Sequence, residues 1–328
     1  MNINGITKLT IELTSYCNAK CPQCPRHDDR GQYRTVIPLD HLNFNNFVKS
    51  IDTDKLKNLK TVQFEGDRGD PVMHPDLIKF VQFFSFVPDI QIVTNGSIQN
   101  TNWWKTLATY KNVTVTFSID GLEDTNHFYR VGISFKKIIE NATTYINNGG
   151  NANWKCIVFK HNQHQIEAIK QYANDLKFSK VFFVSADISR FMGQSTWPVY
   201  LNLKHEYDIA PSTLFSNQHI QINYQSSTPT SQYIFHQTLC PELQYGNIYI
   251  DFLGRVIPCC MMHYEPYEDE GSHLLTIIGG DWNSISLYHY SLENILSNEF
   301  YTHSLNKSFE SKKTIHRHCK NICGIVPK

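Results

Sequence analysis

The sequence predicts an α/β fold organised round a mostly parallel sheet. Short β-rich runs alternate with helix-length stretches through the first 185 residues, and polar or Gly-rich loops follow the runs. Strand, helix, strand in that order calls for right-handed crossovers, and in such sheets ligands gather at the carboxyl ends of the strands.

The first run, Leu9 to Leu13, alternates apolar and polar residues as a half-buried strand does. A helix is expected over Leu39 to Ile51, just after Pro38. The second strand, Thr61 to Glu65, precedes a helix over Pro75 to Val87, and the third, Ile90 to Thr94, precedes one over Trp103 to Tyr110. Trp103 and Trp104 read there as helix packing rather than a substrate platform. Val113 to Ile119 is the fourth strand, followed by a helix over Phe135 to Asn147 that Gly149-Gly150 stops. Trp154 to Phe159 and Val181 to Ser185, on either side of a helix over Gln165 to Leu176, complete six strands.

From Ser189 to Thr238 the periodicity weakens into a polar stretch, with Gln221 to Gln225 and Ser226 to Ser231 reading as connector and loop. Beyond it, Asn247 to Pro258 alternates around Gly254 and reads as a β-hairpin delivering Cys259 and Cys260. A helix is expected within Leu292 to Phe309. The expected organisation is a main domain over 1–188, a connector over 189–238 and a small second domain over 239–328.

The 328 residues are 41% hydrophobic and 18% charged, a soluble globular composition. Thirty basic residues balance thirty acidic ones, so no net field argues for nucleic acid or an anionic membrane as partner. The stretch Met1 to Lys8 lacks the features of a signal peptide and no apolar run approaches membrane-spanning length, so a cytoplasmic location is expected. Nine cysteines fall in tight groups, with Cys156 alone set apart, which favours metal ligation over a disulfide framework.

Cys17, Cys21 and Cys24 share one short loop directly after the first strand. Three thiolates are one short of a closed metal site, and soft sulfur selects zinc, copper(I) or iron–sulfur clusters. A structural zinc site with His27 as a further ligand is the plainer alternative. Taken with the alternating β/α run, the loop resembles the signature of radical S-adenosylmethionine (SAM) enzymes. The resemblance implies a partial (β/α)6 TIM-type barrel and a [4Fe–4S] cluster on Cys17, Cys21 and Cys24, its fourth iron chelated by SAM. It further implies reductive cleavage to an adenosyl radical that abstracts a substrate hydrogen, with a reductant such as flavodoxin or ferredoxin. Gln23 departs from the aromatic residue many family members place before the third cysteine.

Gly69-Asp70-Pro71, after the second strand, looks like the core of the family's Gly-Gly-Glu-Pro motif, with Asp in place of Glu. Glycine there lets backbone carbonyls approach closely, and a nearby carboxylate favours the SAM amino group. An ordinary βα turn is the plain alternative. By the same resemblance Ser118 and Asp120 match the ribose site and Arg130 the partner of the SAM carboxylate, the alternative for Arg130 being a surface arginine. Asn95, in the turn-forming pair Asn95-Gly96, matches an Asn offered to SAM.

Cys240, thirteen residues, Gly254, four residues and Cys259, with Cys319 and Cys323 near the end, resembles the extension of the SPASM and twitch subgroup. The resemblance implies a twitch-like domain with one auxiliary [4Fe–4S] cluster on Cys240, Cys259, Cys319 and Cys323, a zinc site from the same residues being the alternative. Cys260 rivals Cys259, though the four-residue gap favours Cys259; Cys260 and Cys156 then read as packing or spare thiols, and His316 and His318 as solvated residues. Arg190, after the sixth strand, reads as structural.

A fully ligated auxiliary cluster suits electron transfer and a net two-electron oxidation, dehydrogenation or crosslinking, and the resemblance to a subgroup that largely acts on peptides and proteins makes a peptide or protein the leading expected substrate. Oxidation of a small molecule is the alternative among enzymes. A non-catalytic iron–sulfur carrier or zinc-binding structural protein is the alternative from another class.

Overall fold

The computed structural model describes residues 2–186, 194–214, 240–262, 273–310, 314–316 and 319. Its first half is a partial (β/α)6 barrel of TIM type. Strands β1 (Lys8–Ile11), β2 (Thr61–Phe64), β3 (Asp89–Thr94), β4 (Val113–Ser118), β5 (Asn151–Val158) and β6 (Lys180–Ser185) lie side by side in chain order, each parallel to its neighbour. Helices α1 (Phe44–Ser50), α2 (Leu77–Phe83), α3 (Thr101–Leu107), α4 (Phe135–Asn147) and α5 (Ile166–Asp175) connect them.

Alternation along the strands separates two faces. In β5, Ala152, Trp154, Cys156 and Val158 are buried, whereas Asn153, Lys155 and Ile157 between them are only partly covered. Ile11, Phe64, Ile92 and Val115 are fully enclosed and share a core with the helices. Helix α4 shows why the sequence is readable: Ser134 caps it by accepting from the Lys137 N–H, and Ile138, Ala142 and Tyr145 bury one stripe. Gly149, at φ +87°, ends it.

Elsewhere the caps move the ends. Helix α1 starts at Phe44 rather than Leu39 because the Asn43 side chain accepts from the Asn46 N–H at 2.9 Å. The residues before it run as a loop against the first strand, where Thr14 and His41 pair. Helix α3 begins at Thr101, ahead of the expected Trp103, because Asn100 caps it. Trp104 is fully buried there with its indole N–H on Ile98 O at 3.0 Å, and Trp103 packs on the same core, as expected of helix packing. Helix α2 is shorter than expected, Pro71–Met73 forming a separate 3-10 turn ahead of it.

The stretch expected to be connector holds a second sheet. β7 (Trp197–Leu201) and β8 (Lys204–Ile209) pair antiparallel across Asn202 and Leu203, both at positive φ. Such a turn favours glycine, and its absence here hides the hairpin in the sequence. Arg190 and the polar run over 221–231 lie outside the described residues.

The expected C-terminal hairpin forms from β9 (Asn247–Ile250) and β10 (Val256–Ile257), with Gly254 at φ +74°. Asp251 anchors its turn, accepting from the Arg255 N–H and pairing with the Arg255 guanidinium at 2.5 Å. β9 also lies parallel to β1, Leu9 opposite Ile248, so the hairpin continues the barrel sheet to eight strands. The helix expected within Leu292 to Phe309 is interrupted: α-helical Leu292–Leu296, π-helical Phe300–Ser304, then α-helical Leu305–Ser308. His316 corrects a further expectation, being fully buried and stacked on His273 rather than solvated. His318 and Cys323 lie outside the described residues. Among those described, no helix is long and apolar enough to cross a membrane.

Candidate active site

The cysteine loop is fastened where it leaves β1. Ser15 donates its hydroxyl to Pro38 O at 2.7 Å, and the Asp70 N–H donates to Tyr16 O at 2.8 Å. That second contact explains Gly69: a Cβ there would fall 1.9 Å from Thr14 O. Gly66 is equally constrained, since a Cβ would fall 1.5 Å from Gly69 O. Gly69 therefore lets the turn after β2 press against the start of the cysteine loop, and Gly66 lets that turn fold back on itself.

Asp70 is buried and accepts from the Val72 N–H at 3.0 Å, the Thr94 hydroxyl at 2.7 Å and the Asn95 N–H at 2.7 Å. Burial pushes its carboxyl above the ordinary value while those donors pull it back. It ties the ends of β2 and β3 together. Asn95 in turn donates to Asn18 Oδ1 at 3.0 Å and lies 3.7 Å from Cys17 Sγ, joining β3 to the cysteine loop.

On the opposite side, Arg130 pairs its Nε with Asp120 Oδ2 at 2.7 Å and sets Nη1 3.6 Å from Cys21 Sγ. Burial works against the Arg130 charge, yet Asp120, Cys21 and Tyr129 hold the guanidinium above its ordinary value. Arg130 is thus no surface arginine.

These residues surround a cavity of about 360 Å³, within the range of small-molecule sites. Cys17, Cys21 and Cys24 all line it, and so do Gly69, Asp70, Asn95, Ser118 and Arg130. Pro71 and Asp120 do not. Pro71 is buried at the start of the 3-10 turn. Asp120 is fully enclosed, one oxygen on Arg130 and the other accepting from the Ile157 N–H at 2.5 Å, so it positions Arg130 instead of facing a ribose.

Among the described residues no disulfide joins the cysteines. Burial, then the charges of Asp70 and Cys21, pushes the Cys17 thiol up to about 12; burial pushes Cys21 up to about 11 against Arg130. Such thiols stay protonated unless a metal replaces the proton. The donor set fits a cluster, in which each thiolate holds its own iron. His27, the extra ligand of the zinc alternative, does not line the cavity.

The sequence reading missed Glu65, Asp67 and Lys155, which line the same cavity. Glu65 directly follows β2, and Lys155 sits on the partly covered face of β5, where the period-two alternation was the available signal. Burial, then the Asp67 charge, lifts the Glu65 carboxyl to about 7, with Lys8 and Lys155 opposing.

The second cysteine group is partly assembled. Cys240 and Cys319 are buried and Cys259 packs against the same core. Burial pushes the Cys259 thiol well up, and Cys240, Cys260 and Cys319 each add to the effect. Burial, then the Asp67, Glu65 and Glu242 charges, pushes the Cys260 thiol up. Cys156 is buried in the core.

Comparison with known proteins agrees with this geometry. Residues 11–173 match the radical SAM superfamily, and the chain carries a radical SAM domain. The tungsten-containing aldehyde ferredoxin oxidoreductase cofactor-modifying protein of Pyrococcus furiosus is 25% identical over 183 residues, 51% of this chain and 48% of that protein. The chain thus spans about half the length of that curated relative. Among solved structures, SuiB of Streptococcus suis bound to precursor peptide SuiA superposes with TM-score 0.53 and 17% identity, covering 81% of this chain and 63% of that one. Native anSMEcpe with bound AdoMet gives 0.56 and 15%, covering 96% and 86%. At these identities the likeness is one of fold.

Proposed function

We propose that this chain is a radical SAM enzyme that oxidatively modifies a peptide or protein. The observation that carries the reading is the convergence of Cys17, Cys21, Cys24, Asp70, Asn95 and Arg130 on one cavity at the carboxyl ends of the strands. Cys17, Cys21 and Cys24 would hold a [4Fe–4S] cluster whose remaining iron takes SAM. When bound, the pair supplies reductive cleavage of SAM to a 5′-deoxyadenosyl radical able to abstract a substrate hydrogen.

The chain's own residues bind and shelter. Arg130, held by Asp120, presents a fixed cation to a carboxylate beside Cys21. The Gly66 and Gly69 backbones and Ser118 offer close polar contacts on the cavity wall. Trp197, Val199 and Ile209 of the β7–β8 hairpin pack in one apolar cluster with Ala19, Cys21 and Phe159, keeping water off one side of the loop. Cys240, Cys259 and Cys319, with Cys323, would hold an auxiliary cluster that accepts an electron as substrate is oxidised.

The peptide reading draws support from neighbours of like fold recorded with peptides, SuiB with SuiA and anSMEcpe with Cp18Cys peptide. A second reading, a cofactor-sized substrate, is favoured by the name of the Pyrococcus furiosus relative. Reconstituted protein with SAM and a chemical reductant, or flavodoxin or ferredoxin, tests the shared core of both through formation of 5′-deoxyadenosine. Deuterium transfer from peptides or small molecules into that product then separates them.

A further inference from the structure

Tyr301 is 2% exposed, and its hydroxyl is enclosed with no hydrogen-bond partner among the described residues. A buried hydroxyl left unsatisfied is costly, and phenylalanine would avoid that cost. The adjoining Phe300, 3% exposed, shows that this part of the core accepts a plain ring. The hydroxyl therefore asks for an acceptor beyond those the protein shows.

Its neighbours identify the chemistry of that acceptor. Tyr301 is buried in the same core as Cys240 and Cys319, with Cys259 packed against it, and Cys240 and Cys259 are the charges felt at its phenol. A phenol hydroxyl carries one proton to donate. The backbone is specialised at the same point: Phe300–Ser304 is a π-helical turn between two short α-helices. Such turns interrupt helical regularity and gather at functional sites.

We propose that the Tyr301 hydroxyl donates a hydrogen bond to a sulfur of the iron–sulfur cluster held by Cys240, Cys259 and Cys319, raising its reduction potential. The proposal rests on the auxiliary-cluster reading above. A donor to sulfur stabilises the more negative, reduced state over the oxidised one, so its removal lowers the potential. Tyr301 would thereby tune how readily the second cluster accepts an electron from the substrate radical.

The test uses the full chain carrying Cys17→Ala, Cys21→Ala and Cys24→Ala, so that every signal comes from the second site. Metal analysis comes first. About four irons per chain are expected there, whereas zinc or no metal overturns the auxiliary-cluster reading and the proposal with it. With iron present, Tyr301→Phe is expected to keep the metal, shift the midpoint potential to a more negative value and alter the EPR spectrum. An unchanged potential and spectrum overturn the proposal and leave the cluster reading standing. A second measurement needs no change at position 301: in D₂O, the cluster should show hyperfine coupling to an exchangeable deuteron, and finding none overturns the proposal.

Discussion

Gly69 and Glu65, both in the turn after β2 that lines the cavity, show what single positions contribute. Adding a methyl at Gly69 drives it into the Thr14 carbonyl, so Gly69→Ala should push the cysteine loop off its seat. A loss of about 3 kcal/mol in denaturant unfolding, the upper end for overpacking, is expected together with poor iron retention on reconstitution. Glu65 carries a pH signature. Its carboxyl is raised from near 4.5 to about 7, so the folded state favours the protonated form. That contribution is fully present below the ordinary value and is lost as pH rises through about 7. Glu65→Gln of the metal-free protein should therefore melt higher than the parent at pH 8, by roughly 2 °C or more, and nearly level with it at pH 4. A difference of the same size at both pH values would contradict the assignment. Cys17, Cys21 and Cys24 are legible because a spacing is visible in one dimension. Lys155 and the true place of Asp120 are not, since alternation gives a strand two faces without saying which one lines a cavity and which contacts a side chain will choose.

At the scale of elements, α4 is legible from Phe135 to Asn147 to the residue, because its cap and its glycine stop are both local signals. The β7–β8 hairpin is not legible at all, its turn resting on Asn202 and Leu203 at positive φ where glycine is the usual sign. It packs against the cysteine loop all the same, Trp197 sharing one cluster with Cys21 and Phe159. Trp197→Ala should cost about 3 kcal/mol and, more tellingly, hasten bleaching of the visible absorbance when the reconstituted protein meets air. Bleaching at the parent's rate, with the expected loss of stability, would show that the hairpin supports the fold without sheltering the loop.

The whole molecule is bound together more closely than a main domain plus a separate appendage. β9 pairs with β1, and one continuous core runs from Ile3 to Cys319. A chain ended at residue 238 would expose the β1 edge and the apolar surface beneath it, so it should lose cooperative melting. Independent melting of such a piece at the parent temperature would contradict the shared core. The sequence shows the hairpin itself but not its partner, because pairing across more than two hundred residues leaves no local trace. At this scale the two cysteine groups differ in setting, one lining the cavity and the other packed in the continuous core. The most direct test of the account is anaerobic turnover of the reconstituted protein with SAM and reductant. Formation of 5′-deoxyadenosine by the parent, and its loss in Cys21→Ala, is the expected result; none from a parent with an intact cluster and a competent reductant would contradict it.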